Sequence, residues 1–230
     1  MLLNATAANQ GWFVRNANSL SILFRQKIMT DFHLDIRRQQ KFTTAVLSLQ
    51  QVAFANPVFF TEAEISCLKQ EALALPFRAA QPVVGNGVYQ DFDICFPAPL
   101  TGSFAKAAHL LQACCKALSE ASPGLFESDV LINDFAVQNY PAGSNGIGVH
   151  KDGLRYRNLV FIITLSGQSD LFICSDREGS NRQIVADDPG RLVILPAPGL
   201  AFLDAPDSRP LHGVDGVTTG RLSIGFRQER

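Results

Sequence analysis

His150 and Asp152 stand two residues apart in Ile147-Gly148-Val149-His150-Lys151-Asp152-Gly153. On a strand, alternate side chains share a face. The imidazole and the carboxylate then point the same way, with Cα atoms roughly 6.5–7 Å apart. Groups this close can share a metal ion or form an ordinary surface pair. The chain has four histidines, His33, His109, His150 and His212. His212, in Arg209-Pro210-Leu211-His212-Gly213-Val214, sits between the late strand-like runs and is the natural third ligand. Two imidazoles and one carboxylate form a facial set with open positions, which favours non-haem Fe(II) in an oxygenase. Zinc hydrolysis can use the same donors. His109 falls in a helical stretch and His33 in the N-terminal segment, so both stay outside the chemistry.

The C-terminal stretch Gly220-Arg221-Leu222-Ser223-Ile224-Gly225-Phe226-Arg227 adds independent information. Arg221, Ser223, Gly225 and Arg227 share one strand face, while Leu222, Ile224 and Phe226 share the other. Two arginines on a buried face are costly unless they line a pocket for an anion. A guanidinium fork matches a carboxylate in bidentate geometry. A dicarboxylate that chelates the metal through a keto acid end would leave its other end for an arginine. On a solvated outer face the same arginines need no ligand.

Several elements must position these groups. Thr61-Glu62-Ala63-Glu64 reads as a capping box, opening a helix that runs to about Leu75 and stops at Pro76. Residues 77–99 are irregular, with five Pro or Gly residues (Pro82, Gly85, Gly87, Pro97, Pro99). They read as a short-hairpin layer over a site or as plain edge structure. A second helix is expected over 103–121, with Ala107, Leu110, Leu111, Cys114 and Leu118 at helical spacing. Strand-like runs follow at 130–140, 158–165, 170–174, 191–195, 200–203 and 221–227, separated by Gly/Pro turns. Helices followed by many short strands predict a sandwich or barrel.

Composition bounds the rest. The 230 residues suit one large domain or one domain with an appendage, and 47% hydrophobic residues supply a core. A net charge of −1 gives no global basic field for nucleic acid, though a local groove stays open. Five cysteines in no zinc-like spacing suggest buried thiols in a reduced, cytoplasmic setting. No apolar run approaches the ~18 residues that span a bilayer, so no membrane partner is expected. From Met1 to Thr30 there is no Asp or Glu. That acid-poor character fits an organelle transit peptide or an upstream start, with Met29 opening the natural protein. Residues 1–45 are expected to be poorly ordered or processed, and 46–230 to form the domain.

The order Tyr140-x-x-Gly143, Ile147-Gly148-x-His150-x-Asp152, Leu211-His212-Gly213-Val214 and Arg221-x-Ser223-x-x-Phe226-Arg227 resembles the AlkB family of Fe(II)/2-oxoglutarate dioxygenases. The likeness covers residues 130–230, with a weaker helical prelude over 55–124. It implies a mainly β, α+β chain: a double-stranded β-helix, or jelly roll, with supporting N-terminal helices. By this resemblance His150, Asp152 and His212 hold Fe(II), and Arg221 pairs with the distal carboxylate of 2-oxoglutarate. Arg227 lies near the keto acid end or the substrate, and Tyr140 hydrogen-bonds the co-substrate. The family's Asn two residues before that Tyr is replaced by Gln138, with Asn139 adjacent. Gln can make similar bonds from a longer arm. The implied reaction consumes O2, decarboxylates 2-oxoglutarate to succinate and hydroxylates a substrate C–H, or releases formaldehyde from an N-methyl group.

The substrate is less defined. DNA-repair members carry acidic residues just after the aspartate ligand, where this chain has Gly153-Leu154-Arg155. His150-Lys151-Asp152-Gly153-Leu154-Arg155-Tyr156 is similar to the branch of the sixth human AlkB homologue. Lys151, Arg155 and Arg157 can meet phosphates, an acidic peptide or small molecule, or water alone. A metal-retaining jelly-roll binding module without turnover is the alternative from another class; it leaves the Arg221/Arg227 face unexplained.

Overall fold

Asp35 opens helix α1 (Ile36–Ser48), its carboxylate accepting from the Arg38 amide at 2.8 Å. Phe42, Ala45 and Val46 form its buried stripe, the i, i+3, i+4 spacing of an amphipathic helix. The computed structural model describes residues 32–230 apart from 86, 204, 206 and 207. The expectations for the acid-poor N-terminus up to residue 31 lie outside the described residues. α1 corrects the expected boundary at residue 46, because its cap and apolar stripe make residues 36–45 part of the folded core.

Helix α2 (Glu62–Leu73) starts with the anticipated capping box, Thr61 Oγ1 accepting from the Glu64 amide at 3.2 Å and Glu64 Oε2 from the Thr61 amide at 2.8 Å. The Glu64 carboxylate is almost wholly buried and takes a bidentate pair from Arg38 at 2.9 and 3.0 Å, which ties α1 to α2. Helix α3 (Gly102–Ala121) has no side-chain cap of its own. Glu71 of α2 supplies it, accepting from the Ser103 amide at 2.9 Å, a negative charge at a helix N-terminus.

Among the described residues, twelve strands form two six-stranded antiparallel sheets. The first, in the order β1-β4-β5-β12-β7-β10, joins Arg78–Ala79, Asp93–Cys95, Asp134–Tyr140, Arg221–Glu229, Tyr156–Gly167 and Val193–Pro196. The second, β2-β3-β6-β11-β8-β9, joins Val83–Val84, Val88–Asp91, Gly146–His150, Leu211–Asp215, Asp170–Cys174 and Gln183–Ile184. The irregular residues 77–99 thus contribute edge strands to both sheets. The run expected at 200–203 is not a strand; Leu200 makes only an isolated bridge to Phe126 before the chain turns. Its local apolar pattern finds no continuous partner strand.

Two cores follow. Leu222, Ile224, Phe226, Phe135 and Phe161 pack outward against Phe42 and Phe104 of the helices. Tyr140, Val160, Val193 and Leu195 pack inward with Ile147, Leu171 and Val214 of the second sheet. Residues directly opposite on paired strands share a face. Arg221↔Tyr140, Ser223↔Gln138, Gly225↔Ala136 and Arg227↔Asp134 therefore all belong to this inner face. The five cysteines are free thiols. Burial pushes Cys114 up to about 12 and Cys115 well above the ordinary thiol range, so both behave as core residues. No helix among the described residues is long and apolar enough to cross a membrane.

Candidate active site

β6 and β11 pair with His150 directly opposite His212, which sets the two imidazoles on one face with ring centroids 4.3 Å apart. Gly146 makes this pairing possible. It has φ +79°, and a Cβ there would sit 1.8 Å from the Val214 carbonyl oxygen. A register shift between His212 and Val214 is the local irregularity by which strands re-aim side chains beside a site. Just beyond β6, Asp152 brings Oδ2 to 3.5 Å from His212 Nε2.

Each imidazole bonds a backbone carbonyl through Nδ1, His150 to Gly148 at 2.8 Å and His212 to Pro210 at 3.2 Å. A carbonyl only accepts, so Nδ1 carries the proton and Nε2 keeps its lone pair. Burial, reinforced by the charge of His212, pushes His150 down to about 4, so its imidazole is neutral near pH 7. Asp152 behaves in the opposite sense. Burial would raise it, but the positive charges of His212, Arg227, His150 and Arg209 hold it below the usual carboxylate range. The outcome is a neutral His150 beside an anionic Asp152, with the second imidazole's Nε2 facing that carboxylate, donor types that a divalent metal takes. Metal bonds of ~2.1 Å place neighbouring donors roughly 3 Å apart, and the Asp152 Oδ2 to His212 Nε2 separation of 3.5 Å is somewhat longer than that. The set is looser than a finished metal cage: among the described residues no group of three or more His, Cys, Asp or Glu, this trio included, stands close enough to hold a metal ion as it is.

Arg227 stands behind the trio. Its Nε lies 3.6 Å from Asp152 Oδ1, its Nη1 donates to Asp134 Oδ1 at 3.4 Å, and its guanidinium sits 5.2 Å from the Tyr156 ring centroid. Burial works against its charge, but Asp152, Tyr156 and Asp134 outweigh burial and raise its pKa above the ordinary arginine value. The Arg227 Nε–H has no hydrogen-bond acceptor. Arg209 donates to the Asp152 backbone carbonyl, fixing the segment that carries the carboxylate.

Arg221 lies at the far end of the inner face and is 2% exposed. It donates through Nη1 to Ser223, and through Nη2 to Thr164 Oγ1 and Asp187 Oδ2, both at 2.9 Å. Its Nε–H is buried with no acceptor. Tyr140 stacks on Phe92 with centroids 4.7 Å apart and donates to Gln138 Oε1 at 3.3 Å. Burial, opposed by Arg221 and Arg227, pushes its phenol up to about 12, so it stays a neutral donor. Of the arginine Nε–H groups without an acceptor among the described residues, that of Arg221 alone faces no carboxylate within ion-pair distance, the feature an anionic ligand would satisfy.

The structure gathers His150, Asp152, His212 and Arg227 at one end of the inter-sheet space. Arg221, Tyr140 and Gln138 share the same inner face. It does not bring Asn139 to them. Asn139 is opposite Leu222, on the helix-facing side; the cleft it lines with Lys69 and Leu73 of α2 also reaches Tyr140 and Arg221 at the strand ends. The period of two that sends Tyr140 inward sends its neighbour outward. Asp134 was reachable from the sequence, being three alternations before Tyr140 on the same face. Thr164 and Asp187 carry no such signal, since they meet Arg221 only through space. Of the basic residues near the trio, Arg155 pairs with Glu229 at 2.8 Å and Arg157 with Glu127 at 3.0 Å.

No protein-family model and no curated protein matches the chain. Solved structures do resemble it. A prolyl hydroxylase from Trichoplax adhaerens, in complex with a hypoxia inducible factor oxygen degradation domain peptide, superposes with a TM-score of 0.59 at 14% identity, covering 86% of this chain and 95% of that one. An oxidoreductase of the 2OG-Fe(II) oxygenase family from Burkholderia pseudomallei gives 0.52 at 13% identity, covering 81% and 88%. OsALKBH1 gives 0.52 at 13% identity, covering 77% and 99%. Prolyl hydroxylases and an AlkB homologue stand side by side in this group, so the architecture does not select the AlkB branch. What it establishes is that the chain has the double-stranded β-helix fold of the 2OG-Fe(II) oxygenases.

Proposed function

We propose that this chain is an Fe(II)- and 2-oxoglutarate-dependent dioxygenase that hydroxylates a peptide or small-molecule substrate. The observation that carries the reading is the convergence of His150, Asp152 and His212 on the inner face that also holds the buried Arg221 and the partly buried Arg227. His150, Asp152 and His212 would hold the iron, whose bound form supplies O2 activation coupled to oxidative decarboxylation of 2-oxoglutarate to succinate. The chain's own residues do the rest. The Gly148 and Pro210 carbonyls lock both imidazole tautomers. Arg227 keeps Asp152 ionised and offers a charged donor toward a keto acid group. Arg221, steadied by Ser223 and Thr164, would take the distal carboxylate. Tyr140, a neutral phenol whose proton goes to Gln138 Oε1 here, would turn that proton to the co-substrate.

The AlkB-like branch rests on the four motifs from Tyr140 to Arg227. Within it, Gly153-Leu154-Arg155 after the aspartate supports a peptide or small molecule over an alkylated base, and so do the carboxylate partners of Arg155 and Arg157, which occupy charges a phosphate would use. The binding-module reading draws on one observation, the pairing of Arg221 with Asp187.

The full chain incubated with Fe(II), 2-oxoglutarate, O2 and ascorbate is expected to form succinate, detected by NMR, and to form more with a suitable substrate. His150→Ala and Asp152→Ala should abolish both iron binding and succinate. Arg221→Ala should weaken 2-oxoglutarate by about 10–150-fold, the scale of one charge-assisted contact. No 2-oxoglutarate binding and no succinate across a panel of peptides, metabolites and methylated nucleotides would favour the module.

A further inference from the structure

Arg221 already holds a carboxylate. Asp187 Oδ2 accepts from Arg221 Nη2 at 2.9 Å and from Thr164 Oγ1 at 2.6 Å. A guanidinium presents two forks to a carboxylate, the end fork through Nη1 and Nη2 and the side fork through Nε and Nη2. Nη2 belongs to both. Its two hydrogens are taken by Asp187 and Thr164, while Nη1 serves Ser223 and Nε–H is unpartnered. No bidentate approach to Arg221 is open while Asp187 stays in place. A second carboxylate arriving beside it would also meet like charge in a buried setting, where repulsion is strong.

Asp187 is placed so that it can leave. It sits between β9 and β10, outside regular strand pairing, followed by Asp188-Pro189-Gly190. It also lines a polar cleft of about 430 Å³ with Gln168, Ser169, Thr218 and the carboxylates Asp170 and Asp188, where water, and no cation of the lining, would receive a released carboxylate. Arg221 has no such freedom, being held on the central strand β12 with Tyr140 5.5 Å below it.

Resting on the reading of Arg221 as the distal-carboxylate site, we propose that Asp187 is an internal competitor for the co-substrate. 2-Oxoglutarate binds by displacing Asp187 from Arg221, and Asp187 sets how much affinity a distal carboxylate must contribute to be admitted. A keto acid lacking that carboxylate gains nothing from the exchange. Asp187 is thus a specificity-determining residue acting through Arg221.

Anaerobic calorimetric titrations of 2-oxoglutarate and of pyruvate into the Mn(II)-loaded full chain test this. In Asp187→Asn the 2-oxoglutarate dissociation constant is expected to fall by about tenfold, the scale of one charge-assisted hydrogen bond, with pyruvate unchanged. Asp187→Ser should repeat the effect. An unchanged or raised 2-oxoglutarate constant in these variants overturns the competitor role, as does loss of folding in both, which would make Asp187 a structural counter-ion. Arg221→Ala separates the two levels. If it leaves 2-oxoglutarate binding intact, the co-substrate reading of Arg221 itself falls. If it weakens 2-oxoglutarate alone while Asp187→Asn does not tighten it, only the competitor is lost.

Discussion

The two faces of β12 are both largely buried and chemically opposite. Phe226 is 0% exposed on one side, where it stacks on Phe135 with centroids 4.8 Å apart. Arg221 is 2% exposed on the other. The outer face follows the ordinary rule of a core: apolar area leaves water and rings meet at favourable separations. The inner face runs against it. Burying two guanidiniums costs free energy that paired carboxylates offset at best in part, and hydrophobic residues of similar volume would hold the sheets together as well. Asp187, Asp134 and Asp152 make the arginines tolerable rather than advantageous. One strand thus divides its labour by parity, with even-numbered positions holding the helices and odd-numbered ones furnishing the pocket.

The largest effect should come from the outer face. Phe226→Ala is expected to cost about 3–5 kcal/mol of stability, read from urea unfolding, with Mn(II) affinity unchanged below the transition. If metal affinity fell in step with stability, the division between the faces would not hold. On the inner face, Ser223→Ala removes one hydrogen bond to Arg221 and should cost about 1.5 kcal/mol while weakening 2-oxoglutarate several-fold in calorimetry. Unchanged 2-oxoglutarate affinity there would move Arg221 into the structural class. The smallest effect is expected at Asn139, adjacent in sequence to Tyr140 but on the opposite face. Asn139→Ala should change stability by less than about 0.5 kcal/mol and leave 2-oxoglutarate binding as it was. A marked loss of binding would show that the helix-side cleft communicates with the pocket.

Much of this arrangement was readable locally. Alternation in 221–227 separates Leu222, Ile224 and Phe226 from the arginines, and the observed register keeps that separation. Thr61 and Glu64 announce α2 because a capping box is a contact within four residues. The run at 200–203 misled for the same reason in reverse: an apolar tetrapeptide states a preference, and only a neighbouring backbone turns it into a strand. α1 lay hidden in the segment expected to be poorly ordered because its stability comes from Phe42 and Val46 meeting partners far along the chain.

Alternation, capping and the types of residue at 150, 152, 212, 221 and 227 were determined by the sequence alone, since each depends on neighbours a few bonds away or on chemistry intrinsic to a side chain. Which groups meet was decided only by folding. The antiparallel pairing of β6 with β11 sets His150 opposite His212. The loop before β10 brings Asp187 to Arg221 across 34 residues, and the start of β5 brings Asp134 to Arg227 across 93. Coulomb attraction and hydrogen bonding act over a few ångströms of space, so charge partners this distant in sequence exist only once both sheets have closed over them.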